Sequence, residues 1–139
     1  MSNKYHFFDH TGDAAVEVYG ENLESLYENS IEACTSLLTS LDKIDSHIKK
    51  EITLTGSDYD QLLVVLLSEL IFLYDVERFL CKNGIITSLT SNKLSATLYG
   101  EYLDDAKHEI YTEIKAVTYH KLGIAKTPTG FKTNIIFDL

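Results

Sequence analysis

An α+β fold, a two-layer sandwich with two helices packed on a mostly antiparallel β-sheet, is what the 139 residues of this chain predict. Two long stretches carry apolar residues at helical spacing, and segments with period-two alternation lie before, between and after them. The resulting order is strand, strand, helix, strand, helix and then a run of strands. Such an order collects the helices on one face of the sheet instead of threading them between parallel strands.

The elements follow from the N-terminus. Residues 5–8 are short and aromatic, and residues 14–20 alternate Ala14, Val16 and Val18 against Ala15, Glu17 and Tyr19, as a half-buried strand does. The loop His10-Thr11-Gly12-Asp13 lies between them. Leu23, Leu26, Tyr27, Ser30, Ile31, Cys34, Leu37, Leu38 and Leu41 then recur three or four apart behind Asn22, a good N-cap, and describe an amphipathic helix of about five turns. Residues 48–56 alternate again, with Ile52 and Leu54 opposite Glu51, Thr53 and Thr55.

Ser57-Asp58-Tyr59-Asp60 opens a second helix in the manner of a capping box, and this helix runs to about Glu77. It is apolar over most of its surface from Leu62 to Leu73, which calls for cover on more than one side. Ser68, Glu69, Asp75 and Glu77 stand out as its few polar residues. Strands are expected over 79–87, 94–103, 112–120, 121–126 and 131–138, with Leu94, Ala96 and Leu98 against Ser95, Thr97 and Tyr99 the cleanest alternation. Thr127-Pro128-Thr129-Gly130 is a turn that makes the last two strands a hairpin.

Composition narrows the function. With 45% hydrophobic and 24% charged residues, 7 Gly and 1 Pro, nothing reads as a linker, and residues 1–139 are expected to form a single domain. A formal charge of −9, from 21 acidic against 12 basic residues, repels phosphate backbones and argues against direct nucleic-acid binding as the main activity. It leaves docking onto a basic, RNA-handling partner, or the holding of a hard divalent cation. Cys34 and Cys81 form no CxxC pair and read as buried free thiols. The start has no apolar stretch of signal-peptide length, and the longest apolar tract, 62–74, is interrupted by Ser68 and Glu69. A cytoplasmic, soluble protein without membrane association is therefore expected. No nucleophile elbow, phosphate-binding glycine loop or HExxH motif occurs.

Individual residues carry weaker signals. Glu69, within an apolar helix, must reach water, a donor or a cation, and a buried structural ion pair, for instance with Lys115, is the favoured reading over catalysis. His10 is close enough to Asp13 to share a hydrogen bond within one loop. Lys115 and His120 are an odd number of residues apart on an expected strand, which points them to opposite faces. Asp75 and Glu77 place negative charge at a helix C-terminus, against the macrodipole. Taken alone, Asp13 reads as a turn-capping side chain and Asp138 as a solvated carboxylate near the end of the chain.

Four stretches together resemble the archease family: His10-Thr11-Gly12-Asp13, Leu67-Ser68-Glu69-Leu70-Ile71-Phe72-Leu73-Tyr74-Asp75, Glu113-Ile114-Lys115-Ala116-Val117-Thr118-Tyr119-His120, and Phe137-Asp138-Leu139. Their order and spacing match over nearly the whole chain, with departures at Gly12, Ala14 and Leu66. The resemblance implies an α+β sandwich and a non-enzymatic protein cofactor that activates the tRNA-splicing RNA ligase, promoting its guanylylation and multiple turnover. It further implies a divalent metal ion, calcium, magnesium or manganese, on Asp13, Asp138 and the backbone oxygen of Leu139. His10, Glu69, Lys115 and His120 would then be supporting or ligase-facing residues. Two alternatives stand beside it: a metal-dependent hydrolase on the same carboxylates, and a general chaperone or adaptor for RNA-processing proteins.

Overall fold

Two short polar side chains start the two helices. Asn22 Oδ1 accepts the Ser25 N–H at 2.7 Å, and Ser25 Oγ accepts the Asn22 N–H at 3.1 Å, opening α1 (Leu23–Leu38). Asp58 Oδ1 accepts the Gln61 N–H at 2.8 Å and opens α2 (Tyr59–Glu77). In this computed structural model residues 4–10, 12–118 and 123–139 are described, with the side chains of all of them except Asp9 and His10. Helix α1 stops short of Leu41, which falls in a short 3-10 turn, because Thr39 adopts extended backbone and its hydroxyl donates to the Glu109 carbonyl at 2.6 Å.

Among the described residues eight strands form two sheets, and every pairing is antiparallel. They are β1 (Tyr5–His10), β2 (Asp13–Gly20), β3 (Ile48–Thr55), β4 (Phe79–Leu89), β5 (Lys93–Tyr102), β6 (Ala116–Thr118), β7 (Ala125–Thr127) and β8 (Gly130–Asp138). The first sheet runs β1-β2-β8-β6, with β7 also paired to β8, and the second runs β3-β5-β4. The α+β class thus holds, with the strands shared between two sheets: β3 and β4 take both edges of β5, while β8 returns to lie beside β2. The β7–β8 hairpin forms around Pro128 as its turn residues require.

Two expected strands are shorter than their alternation suggests. Of 112–120, only Ala116–Thr118 pairs within the described residues. The Tyr111 N–H donates to the Leu38 carbonyl at 2.9 Å and Glu109 is held by Thr39, so the segment before β6 is drawn to the end of α1 and away from the sheet. Of 121–126, residues 121 and 122 lie outside the described residues, and the strand observed is Ala125–Thr127.

One hydrophobic cluster joins Val16, Val18, Ile135 and Phe137 of the first sheet to Leu94 and Leu98 of the second, with Leu26 and Ile31 of α1 and Leu62, Leu63, Leu66 and Leu67 of α2. Cys34 and Cys81 are buried in it as free thiols. The register places Ala14, Val16 and Val18 of β2 opposite Phe137, Ile135 and Thr133 of β8, so these positions form the core face of the first sheet. Helix α2 meets the expectation of broad cover over residues 61–67, all buried or half-buried, and departs from it further on, where Phe72 and Val76 are 52% and 64% exposed.

Candidate metal centre

Asp13 is the first residue of β2 and Asp138 the last of β8, and the antiparallel register sets them directly opposite one another. Opposed residues of neighbouring strands send their side chains to the same face, with Cβ atoms about 5 Å apart. Their neighbours Ala14 and Phe137 are on the core face, so the two carboxylates stand side by side on the other one. Asp13 is half-buried and Asp138 exposed.

The surrounding backbone holds this pair in place. On one flank β1 pairs with β2 so that His10 lies opposite Asp13, and Gly12 turns the chain between them at φ +75, a conformation open to glycine at little cost. On the other flank Ala116 of β6 lies opposite Asp138, and the Lys115 N–H donates to the Asp138 carbonyl at 2.8 Å. Leu139 follows, its side chain half-buried against the core.

Two carboxylates at this separation repel unless a cation or proton neutralises one of them. Among the described residues no lysine or arginine side chain bonds the Asp138 carboxylate. The donor set is all oxygen, from the two carboxylates and the backbone that follows Asp138, and suits a hard divalent cation better than a soft one. The residues present therefore fit such an ion.

The other sequence candidates separate. Glu69 and Lys115 form no ion pair: Glu69 lies half-exposed on α2 and reaches water, while Lys115 is exposed and lines a groove with Ser68, Phe72 and Asp75. The buried pair expected between them is thus corrected: Glu69 is only half-buried, and Lys115 is exposed on the far wall of the groove. The side chain of His10, and His120 altogether, lie outside the described residues.

A second polar cluster gives no warning in the sequence. Glu101 of β5 is buried, and its Oε2 accepts from Lys107 Nζ at 2.6 Å, from the Asp45 N–H at 2.8 Å and from His108 Nε2 at 2.9 Å. The Asp104 N–H donates to His108 Nδ1 at 3.0 Å, so the ring carries its hydrogen on Nε2. Burial opposes ionisation of Glu101, but the Lys107, Asp45 and His108 hydrogen bonds together outweigh it and hold the carboxyl down at about 2. Asp45, His47 and Glu101 bring ligand atoms within 4.8 Å of one another, as a metal site would. Lys107 Nζ already bridges Asp45, at 2.8 Å, and Glu101, so the positive charge there is supplied by the chain itself.

Comparison with known proteins gives one family. The model of the Archease protein family (MTH1598/TM1083) matches residues 5–139. A protein archease of Methanosarcina mazei is 31% identical, with 100% of this chain and 98% of that protein covered. One of Pyrococcus abyssi is 32% identical, covering 91% of this chain and 92% of the relative. Among solved structures, Methanobacterium thermoautotrophicum protein 1598 superposes with a TM-score of 0.82 at 28% identity, covering 98% of this chain and 99% of its own. A Thermotoga maritima archease, described as a possible chaperone, gives a TM-score of 0.63 at 25% identity over 95% of this chain and 94% of its own. Among the described residues no helix is long and apolar enough to cross a membrane.

Proposed function

Because this chain belongs to the archease family, we propose that it is a cytoplasmic, non-enzymatic protein cofactor of the tRNA-splicing RNA ligase, promoting ligase guanylylation and repeated turnover. The observation that carries the site is the register match of Asp13 with Asp138. Residues from opposite ends of the chain meet there as an all-oxygen donor pair. Asp13, Asp138 and the backbone oxygen of Leu139 would hold a divalent cation, which when bound supplies Lewis-acid charge to partner or nucleotide oxygens.

The chain's own residues set the geometry. Strand β8 lies between β2 and β6, so Asp138 cannot slide in register without breaking both ladders. Lys115 holds the Asp138 carbonyl by its backbone N–H and leaves the carboxylate to the other face. With −9 overall, the protein suits a basic partner and not RNA itself.

The test is guanylylation of the cognate ligase with GTP and manganese, with and without this protein. Wild type is expected to stimulate, and Asp13→Asn and Asp138→Asn to lower stimulation by about tenfold or more, since even loss of a residue that only supports a metal ligand costs that much, with circular dichroism showing the variants folded. Calorimetric titration with calcium, magnesium and manganese identifies the ion. Full stimulation by both variants would remove the metal from the mechanism, and none by wild type would remove the ligase. Metal-dependent phosphoester cleavage by the protein alone, lost in Asp13→Asn, would establish the hydrolase instead.

A further inference from the structure

Helix α2 has a second apolar stripe that the fold leaves uncovered toward its C-terminal end. Val65, Phe72 and Val76 recur at i, i+7 and i+11 on the outward side; Val65 is half-buried, and Phe72 and Val76 are 52% and 64% exposed. A helix that needed only one covered side would carry polar residues here. Phe72 and Val76 stand there instead, edged by Ser68, Glu69 and Asp75, and neither carboxylate pairs with a cation among the described residues. The result is an apolar ridge edged with negative charge. Beside it a groove of about 340 Å³ runs between α2 and β6, with Lys115 on its far wall.

We propose that this ridge is the docking face for the ligase and seats in an apolar groove on it rimmed by lysine and arginine side chains. The proposal rests on the partner reading above. Charge complementarity selects the occupant. Two copies of this chain packed ridge to ridge would oppose Glu69 and Asp75 with their like, at −9 for each molecule. A protein that binds RNA must carry basic surface for the phosphates, and such a surface meets the acidic rim with opposite sign. Lys115 and, in β6, Ala116 and Val117 wall the groove on its far side.

Two double variants test this by calorimetry or surface binding with purified cognate ligase. Phe72→Gln with Val76→Gln removes the apolar anchors at exposed positions, and Glu69→Lys with Asp75→Lys inverts the rim. Each is expected to weaken binding at least about tenfold, as truncation of central interface anchors and reversal of facing charges do. Circular dichroism and calcium titration are expected to match wild type, separating the ridge from the fold and from the metal pair. Ligase binding equal to wild type in both variants overturns the docking face and leaves the partner reading standing. No binding by wild type overturns both. A wild-type dimer in sedimentation that Phe72→Gln with Val76→Gln converts to monomer assigns the ridge to a second copy and overturns the proposal.

Discussion

A carboxylate set into a sheet is tolerated where donors converge on it, and Glu101 has three within 2.9 Å. Its folded value of about 2 lies below the ordinary 4.5, so ionised Glu101 adds stability that is complete above 4.5 and lost as the pH falls to about 2. Glu101→Gln should lower unfolding stability at pH 7 by about 1–3 kcal/mol, the usual cost of losing charged hydrogen bonds at a buried site. In urea melts the gap between pH 7 and pH 3 should narrow in the variant, and an unchanged gap would mean that other carboxylates carry the acid response. Burial likewise pushes the Cys34 and Cys81 thiols up to about 12, so both should resist iodoacetamide in the native protein and react once urea unfolds it. The buried thiols were legible in the sequence because cysteine without metal spacing has few other fates. Asp13 and Asp138 were not legible from residue type alone: one resembles a turn residue and the other a terminal carboxylate, and the register that joins them is a long-range property. Only the matched stretches pointed to the pair. Glu101 offered still less, since its partners come from residues 45, 107 and 108 and share no motif.

Helices and their caps depend on residues close in sequence, and here the reading from sequence came close: Asn22 caps as expected, and the second helix opens one residue later than the pattern over 57–60 implies, with Asp58 as its cap. Asn22→Ala should cost about 1 kcal/mol in urea unfolding, the ordinary value of a lost N-cap, without changing the fold. Strands depend on what lies beside them, and the alternation over 112–120 could not foresee that bonds to Leu38 and Thr39 would pull its first part off the sheet. Nor could it reveal how closely β4 approaches β5. A Cβ at Gly100 would lie 1.9 Å from the Leu80 carbonyl oxygen, which neither strand can yield without losing pairing. Gly100→Ala should therefore destabilise by more than about 3 kcal/mol, the range reserved for disrupted backbone packing, or prevent soluble expression. A variant that melts like wild type would show that the β4–β5 ladder can shift at this point. Gly100 and Asn22 thus differ in kind: one substitution removes a hydrogen bond that water can replace, and the other inserts an atom where backbone already stands.

The whole molecule joins one core to a strongly acidic exterior, and the two constrain its partners differently. Closing the core takes the inward side of α2 and both sheet faces, and nothing within the described residues is left to cover Phe72 and Val76. The expectation that α2 is covered on more than one side holds over residues 61–67 and fails at Phe72 and Val76, which is the difference a partner would make up. Charge acts at longer range than contact. A molecule at −9 approaching a basic surface is steered before it touches, and the Debye length, about 10 Å at 0.1 M salt, sets how far that steering reaches. The association rate with the ligase, followed by stopped flow, should fall about tenfold between 50 and 300 mM salt while the dissociation rate changes much less. Glu69→Lys with Asp75→Lys should flatten that dependence, because inverting two charges changes the net charge by +4. Phe72→Gln with Val76→Gln should keep the slope and raise the dissociation rate, because it removes contact area and no charge. A wild-type rate indifferent to salt would mean that the acidic excess keeps the protein soluble and has no part in finding its partner.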